Sequence, residues 1–159
     1  MIGDKPTVLV TDSERASALC VIRSLAHAGC RVIAASTSRL TAGGVSRFAH
    51  RSLVYPDPMI RPKECAESLL ESAKSLGVDL IVPVTDEIIL CLSAAAEHQS
   101  LPCAIAMAAR RSLETAWDKH ETAELAERLA VPCPEGDLAD NGEQALATAE
   151  RIGWPVVVK

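Results

Sequence analysis

Residues 7–36 read "TVLVTDSERASALCVIRSLAHAGCRVIAAS", and this stretch decides the fold. Thr7–Val10 is a continuous run of strand length dominated by β-branched residues, the pattern of a strand buried on both faces. Asp12 or Ser13 is placed to cap the helix that follows, in which Ala18, Leu19, Ile22, Leu25 and Ala26 share one stripe. Gly29 stands where a glycine ends a helix, and Arg31–Ser36 is a second strand. A strand–helix–strand unit of this kind crosses over right-handed into a parallel sheet. The turn after the first strand also limits what the sheet can hold. Dinucleotide-binding sheets place G-x-G-x-x-G there so that backbone can approach a pyrophosphate. Residues 11–17 contain no glycine, which argues against NAD or FAD.

The alternation continues outward. Residues 38–50 lack a period and contain Gly43 and Gly44, so a loop is expected, followed by a short strand at 51–55 that ends at Pro56-Asp57-Pro58. Pro62 opens a helix with Cys65, Leu69, Ala73 and Leu76 on one face, and Gly77 closes it. A strand at 79–84, a turn at Thr85-Asp86-Glu87, a helix carrying Ile88, Ile89, Leu92, Ala95 and Ala96, and a strand at 102–107 complete the series. The predicted class is α/β: a Rossmann-like open, mostly parallel sheet with flanking helices.

After Met107 the pattern changes to two helical segments within 112–130, the second opened by a capping box of Asp118 and Glu121. A proline-edged extended stretch spans 131–139. Asp140 with Glu143 then caps a helix whose buried face is Ala145, Leu146, Ala149 and Ile152. Gly153 and Pro155 stop that helix, and "VVVK" (156–159) begins a strand. Two parts are expected, 1–112 and an α+β segment at 113–159.

Composition excludes several classes. Of 159 residues, 48% are apolar but only 3% aromatic, so the core is aliphatic. The net charge is −5 with no Lys/Arg block of five or more, which disfavours a nucleic-acid partner. Six cysteines (20, 30, 65, 91, 103 and 133) include no C-x-x-C pair, and four histidines (27, 50, 98 and 120) are scattered, so no metal site is expected. The N-terminus lacks the apolar core of a signal peptide, and the apolar run near residue 90 is broken by Asp86 and Glu87, short of a membrane span. A soluble, cytoplasmic protein without a membrane partner is expected.

Three constellations could carry chemistry. Asp12, Asp57 and Thr85 suggest a phospho-receiver, but the adjacent acidic pair and the lysine after the fifth strand are lacking. Thr85, Asp86 and Glu87 lie at the carboxyl end of a strand, where open α/β sheets bind ligands. They could orient an amine or cation, or simply cap the next helix. Lys119 sits in the first turn of a helix, where the dipole disfavours a cation unless an anion binds nearby. Lys159 follows three valines, as an edge lysine or as half of a site.

The stretches "WDKHETAELAERLAVPCPEG" (117–136) and "NGEQALATAERIGWPVVVK" (141–159) resemble the entry into an ATP-grasp domain. That family shows D-K at a helix start, a helix ending in G/A-V-P-x-P, a capped helix closed by G-[YFW]-P, and a V-V-V-K strand. The upstream residues resemble its pre-ATP-grasp domain, including the glycine-free first turn and a "PVTDE" loop (83–87) facing the acceptor substrate. The most similar members are carbamoyl-phosphate-synthase-like and carboxylate–amine ligases. The resemblance implies that Lys119 and Lys159 contact ATP phosphates, that Mg²⁺ accompanies the nucleotide, and that Thr85, Asp86 and Glu87 lie near the acceptor. It implies a ligase that phosphorylates a carboxylate and joins the acyl phosphate to an amine or similar nucleophile. The family's glycine-rich flap, adenine-contacting strand and metal ligands follow the V-V-V-K strand. The chain is therefore expected to be a truncated N-terminal portion, inactive alone, without a nameable catalytic base or metal ligand, and partnered by the missing remainder. The alternative is a receiver-like or stand-alone Rossmann-like module, with extended segments at 133–138 and 155–159 pairing between chains in a homodimer.

Overall fold

The computed structural model describes residues 5–158 and divides into two compact units, Met1–Met107 and Ala108–Lys159. The first contains β1 (Thr7–Val10), α1 (Ala16–His27), β2 (Arg31–Ser36), β3 (Arg51–Val54), α2 (Pro62–Leu76), β4 (Leu80–Val82), α3 (Asp86–Ala96) and β5 (Ala104–Ile105). Its five strands are all parallel in the order β3-β2-β1-β4-β5. The expected open α/β sheet is what forms.

Alternation along the central strands sorts the core into two layers. Val8, Val10, Val32 and Ala34 point to one face and pack with Ala18 and Ile22 of α1. Leu9, Ile33, Ala35 and Ile81 point to the other, against Cys65, Leu69 and Ala73 of α2 and Ile88 and Leu92 of α3. This two-sided burial is why the strands read as continuous apolar runs rather than alternating ones. Right-handed crossovers explain the placement: the chain moves outward from β1 to β2 over one face, then returns from β3 to β4 over the other. Leu9, Ile22, Leu69, Ile81, Ile88 and Leu92 are fully buried, each contributing about 1.5–3 kcal/mol of transfer free energy.

Helix ends follow local chemistry. After α1, Gly29 takes φ 90°, its amide donates to Ala26 O and the Cys30 amide donates to Leu25 O, the two bonds of a Schellman motif. Gly77 closes α2 at φ 59°. The expected cap of α1 is not made. The N-cap is Arg15, with no side-chain capping bond, because the Asp12 carboxylate and Ser13 hydroxyl turn inward to other partners.

The second unit contains α4 (Arg110–Trp117), α5 (Lys119–Arg128) and α6 (Gly142–Ile152). Asp118 caps α5 by accepting from the His120 and Glu121 amides at 2.8 and 3.1 Å. At α6 the cap is Asn141 rather than Asp140: its Oδ1 accepts from the Gln144 amide at 3.0 Å, and Gln144 Oε1 accepts from the Asp140 amide at 2.9 Å. Asn serves an N-cap as well as Asp, and the Gln144 side chain at N3 reaches past the N-cap to the amide of the residue before it, a variant of the capping box. Residues 133–138 and 156–158 form no strand, since a strand exists through ladder partners and none is paired to them among the described residues. No described helix is long and apolar enough to cross a membrane.

Candidate functional site

The order β3-β2-β1-β4-β5 places the topological switch point between β1 and β4, and ligands of open α/β sheets bind at the carboxyl ends there. The residues that follow β1 are Thr11, Asp12 and Ser13, all buried although polar. The amides of these three residues are already used. Thr11 N–H donates to Val82 O at 3.1 Å and Ser13 N–H to Ala35 O at 3.0 Å, while Asp12 N–H donates to the Tyr55 hydroxyl at 3.1 Å. A phosphate cradle needs free amides and room for the ligand. The loop after β2 removes the room: Gly43 N–H donates to Ser13 O at 2.7 Å, and a Cβ on Gly43 would lie 2.7 Å from both that oxygen and Ile22 Cδ1. The glycine-free turn is thus closed by its own protein.

Asp12 is the centre of this closure. Its backbone takes φ 54°, in the left-handed region, which turns the carboxylate inward. Oδ1 accepts from the Tyr55 hydroxyl at 2.9 Å, and Oδ2 accepts from the Thr11 hydroxyl at 2.6 Å and the Thr85 amide at 3.2 Å. Thr11 Oγ1 also accepts from the Val84 amide at 3.1 Å. Beside it, Ser13 and Thr41 share a hydroxyl–hydroxyl bond of 2.7 Å, and Ser36 donates to Glu14 Oε2 at 2.6 Å. Burial, reinforced by the Asp12 charge, pushes the Tyr55 phenol above its ordinary value, so it stays a proton donor. Neither Tyr55 nor this network was legible from motifs; the only signal was the single tyrosine of the chain, following a strand in an aliphatic core.

The receiver interpretation does not survive the sheet order. Receivers place β3 beside β1, giving 2-1-3-4-5. Here β3 is an edge strand beyond β2, so Asp57 follows an outer strand and its Oδ1 accepts from the Met59 amide at 2.8 Å. Asp57 instead lines an open cleft of about 520 Å³ with Thr37, Val54, Tyr55, Pro56 and Arg61.

Thr85 occupies the N-cap place of α3 by its backbone, φ −113° and ψ 157°, but its side chain makes no capping bond. The simple capping role expected for it is not what the hydroxyl does. Asp86 and Glu87 are exposed in the first turn of α3, where the helix dipole favours their charge. Two carboxylates and a hydroxyl at this rim suit a cationic amine. In the second unit Lys119 is exposed at the first position of α5 and has no ion pair among the described residues. Since Asp118 already takes the His120 and Glu121 amides, an anion there would meet the Lys119 ammonium. Lys159 lies outside the described residues.

The buried thiols are inert. Burial, then the neighbouring Cys91, pushes the Cys65 thiol up to about 12, and burial also raises Cys91 and Cys103. Among the described residues no three His, Cys, Asp or Glu side chains are grouped to hold a metal ion.

No family model matches the chain. Among curated proteins it is similar to the carbamoyl phosphate synthase large chain of Acidobacterium capsulatum, 46% identical over 48 residues, covering 30% of this chain and 4% of that protein. The large chain of Methanosphaerula palustris is 33% identical over 83 residues, 52% of this chain and 7% of that one. Among solved structures, the biotin carboxylase–β,γ-ATP complex of Campylobacter jejuni aligns with TM-score 0.67 at 15% identity, over 96% of this chain and 34% of that one. The biotin carboxylase domain dimer of Hydrogenobacter thermophilus 2-oxoglutarate carboxylase, in complex with MgADP, ADP and bicarbonate, aligns with TM-score 0.65 at 22% identity, over 94% and 33%. The chain therefore spans about a third of its structural neighbours and a small part of the synthases. Sequence relatives and structural neighbours are drawn from one superfamily, the ATP-grasp ligases, which the 117–159 motifs resemble.

Proposed function

We propose that the chain forms the N-terminal, substrate-side part of an ATP-dependent ligase that activates a carboxylate as an acyl phosphate and couples it to an amine or similar nucleophile. The observation that carries this reading is the match to carbamoyl phosphate synthase at 46% identity over 48 residues. The agreement of fold with ATP- and MgADP-bound biotin carboxylases supports it. In this reading residues 1–112 are the pre-ATP-grasp domain and 113–159 the opening of the ATP-grasp domain.

Lys119 and Lys159 would lie against the nucleotide phosphates. Lys119 suits that role as an exposed cation without an ion pair among the described residues. Bound MgATP would supply the phosphoryl group, and the contribution of these lysines is positioning and charge stabilisation. Asp86 and Glu87 would orient the nucleophile's ammonium, with Thr85 beside them. Self-association is proposed on the same footing, one neighbour being described as a domain dimer.

The test is ADP release by the product of the complete reading frame, offered ATP, Mg²⁺ and panels of carboxylates and amines. Release that requires a carboxylate and falls at least about tenfold in Lys119→Ala supports the function. Nucleotide turnover indifferent to carboxylates, or to Lys119, contradicts it.

A further inference from the structure

Two costly features coincide at Asp12. Its carboxylate is buried, takes three hydrogen bonds and pairs with no cation among the described residues, and its backbone is in the left-handed region without being glycine. An apolar residue at this point would cost less to bury. Strained backbone tends to persist where surrounding structure enforces it, and often where a functional element must be held. What the carboxylate holds is specific: its Oδ2 takes the Thr85 amide, while Thr11 Oγ1, itself bonded to Asp12, takes the Val84 amide. These are the residues immediately before Asp86 and Glu87. The far side of the network is Tyr55, which gives its hydroxyl proton to Asp12 Oδ1 and accepts from the Asp12 amide.

We propose that Asp12 and Tyr55 are positioning residues that latch the Val84–Thr85 corner and so fix the presentation of Asp86 and Glu87 to the nucleophile. This rests on the proposed role of that corner as the acceptor side of the ligase. The physical basis is geometric. β4 ends at Val82, so Val84 and Thr85 lie beyond its ladder, and side-chain bonds take the place of ladder partners for their amides. Asp12 can hold Thr85 only while its other oxygen is satisfied, and Tyr55 satisfies it from an edge strand. Tyr55 also lines the open cleft beside β3, so the latch has one member at a solvent-facing wall.

The test uses Tyr55→Phe, which keeps the ring in the core and removes one hydroxyl. Amide hydrogen exchange is followed at Val84 and Thr85, with Leu9 and Ile33 in the central strands as references. The Thr85 amide is expected to exchange about tenfold faster relative to those references. Unchanged exchange at Thr85, or a rise shared equally by Leu9 and Ile33, overturns the latch. Thr11→Val provides a second, isosteric variant and is expected to speed Val84 selectively, with Thr11→Ser restoring the native rate. In the product of the complete reading frame, Tyr55→Phe is expected to raise KM for the nucleophile several-fold and leave KM for ATP unchanged. A loosened corner with an unchanged nucleophile KM leaves the latch standing and removes the acceptor role of Asp86 and Glu87.

Discussion

Tyr55 and Asp12 lie 43 residues apart and follow strands that do not touch, yet they exchange two hydrogen bonds, 2.9 Å from hydroxyl to carboxylate and 3.1 Å from amide to hydroxyl. β2 stands between their strands, so the contact spans the carboxyl end of three strands. Together with the Thr85 amide on Asp12 Oδ2 it fills the carboxyl end of β1 and leaves the outer rim, Asp86 and Glu87, as the accessible chemistry.

Removing the hydroxyl in Tyr55→Phe leaves a buried amide without its acceptor and a carboxylate oxygen without its donor. A loss of about 1–3 kcal/mol is expected, read as a lower urea midpoint with an unchanged m-value. A variant as stable as the parent would show that the pair contributes nothing net.

Gly43→Ala tests the closing loop. The added methyl would sit 2.7 Å from Ser13 O, a backbone atom that cannot step aside, and from Ile22 Cδ1. Overpacking of this kind costs about 1–3 kcal/mol, and loop 37–50 is expected to lose exchange protection at the amide of position 43. A neutral substitution would mean that the loop does not press on the turn as described.

How much of this was legible in the sequence depends on the range of the interaction. The glycine stops at Gly29 and Gly77 and the cap at Asp118 are local, set by residues within a turn of each other, and they stand where expected, as do the five strands of the first unit, though those expected at 79–84 and 102–107 shorten to Leu80–Val82 and Ala104–Ile105. The order of strands is not local. Placing β3 outside β2 rather than beside β1 separates this sheet from a receiver, and no motif in 51–57 encodes it. Asp12 was misread for a related reason. An Asp before a helix caps it by default, and here Tyr55, 43 residues away, and Thr85, 73 residues away, join the neighbouring Thr11 hydroxyl in holding the carboxylate inward. Of the strand expected at 156–159, the described residues 156–158 form none, because pairing, not apolar content, makes a strand.

Alkaline pH should destabilise the first unit. Cys65 is raised from 9.0 to about 12 in the folded state, chiefly by burial, so its contribution is complete below pH 9 and is lost as pH rises toward 12. The folded protein binds the proton more tightly than the unfolded chain over this window. Stability therefore falls by up to about 1.4 kcal/mol per pH unit for this group, with Cys91 adding in the same direction. Denaturant unfolding under reducing conditions from pH 8 to 11 checks this. A flat profile contradicts it. In the same conditions alkylation is expected at the exposed Cys20 and Cys133 first, with Cys65 and Cys91 reacting only after unfolding.

Asp118→Ala removes the acceptor of two amides at the start of α5. A local cost of about 1 kcal/mol is expected, seen as frayed amides at His120 and Glu121 with Leu9 and Ile33 unmoved. Unchanged exchange at His120 and Glu121 would show that the Asp118 side chain is not what caps the helix.

The central claim is acyl-phosphate chemistry, and isotope transfer tests it most directly. If a carboxylate oxygen attacks the γ-phosphorus and the nucleophile then displaces phosphate from the acyl carbon, one carboxylate oxygen must leave with the phosphate. With an ¹⁸O-labelled carboxylate, ATP, Mg²⁺ and an accepting amine, the product of the complete reading frame is expected to yield inorganic phosphate carrying one ¹⁸O per turnover. Phosphate formed without the label while the carboxylate is consumed would contradict the account.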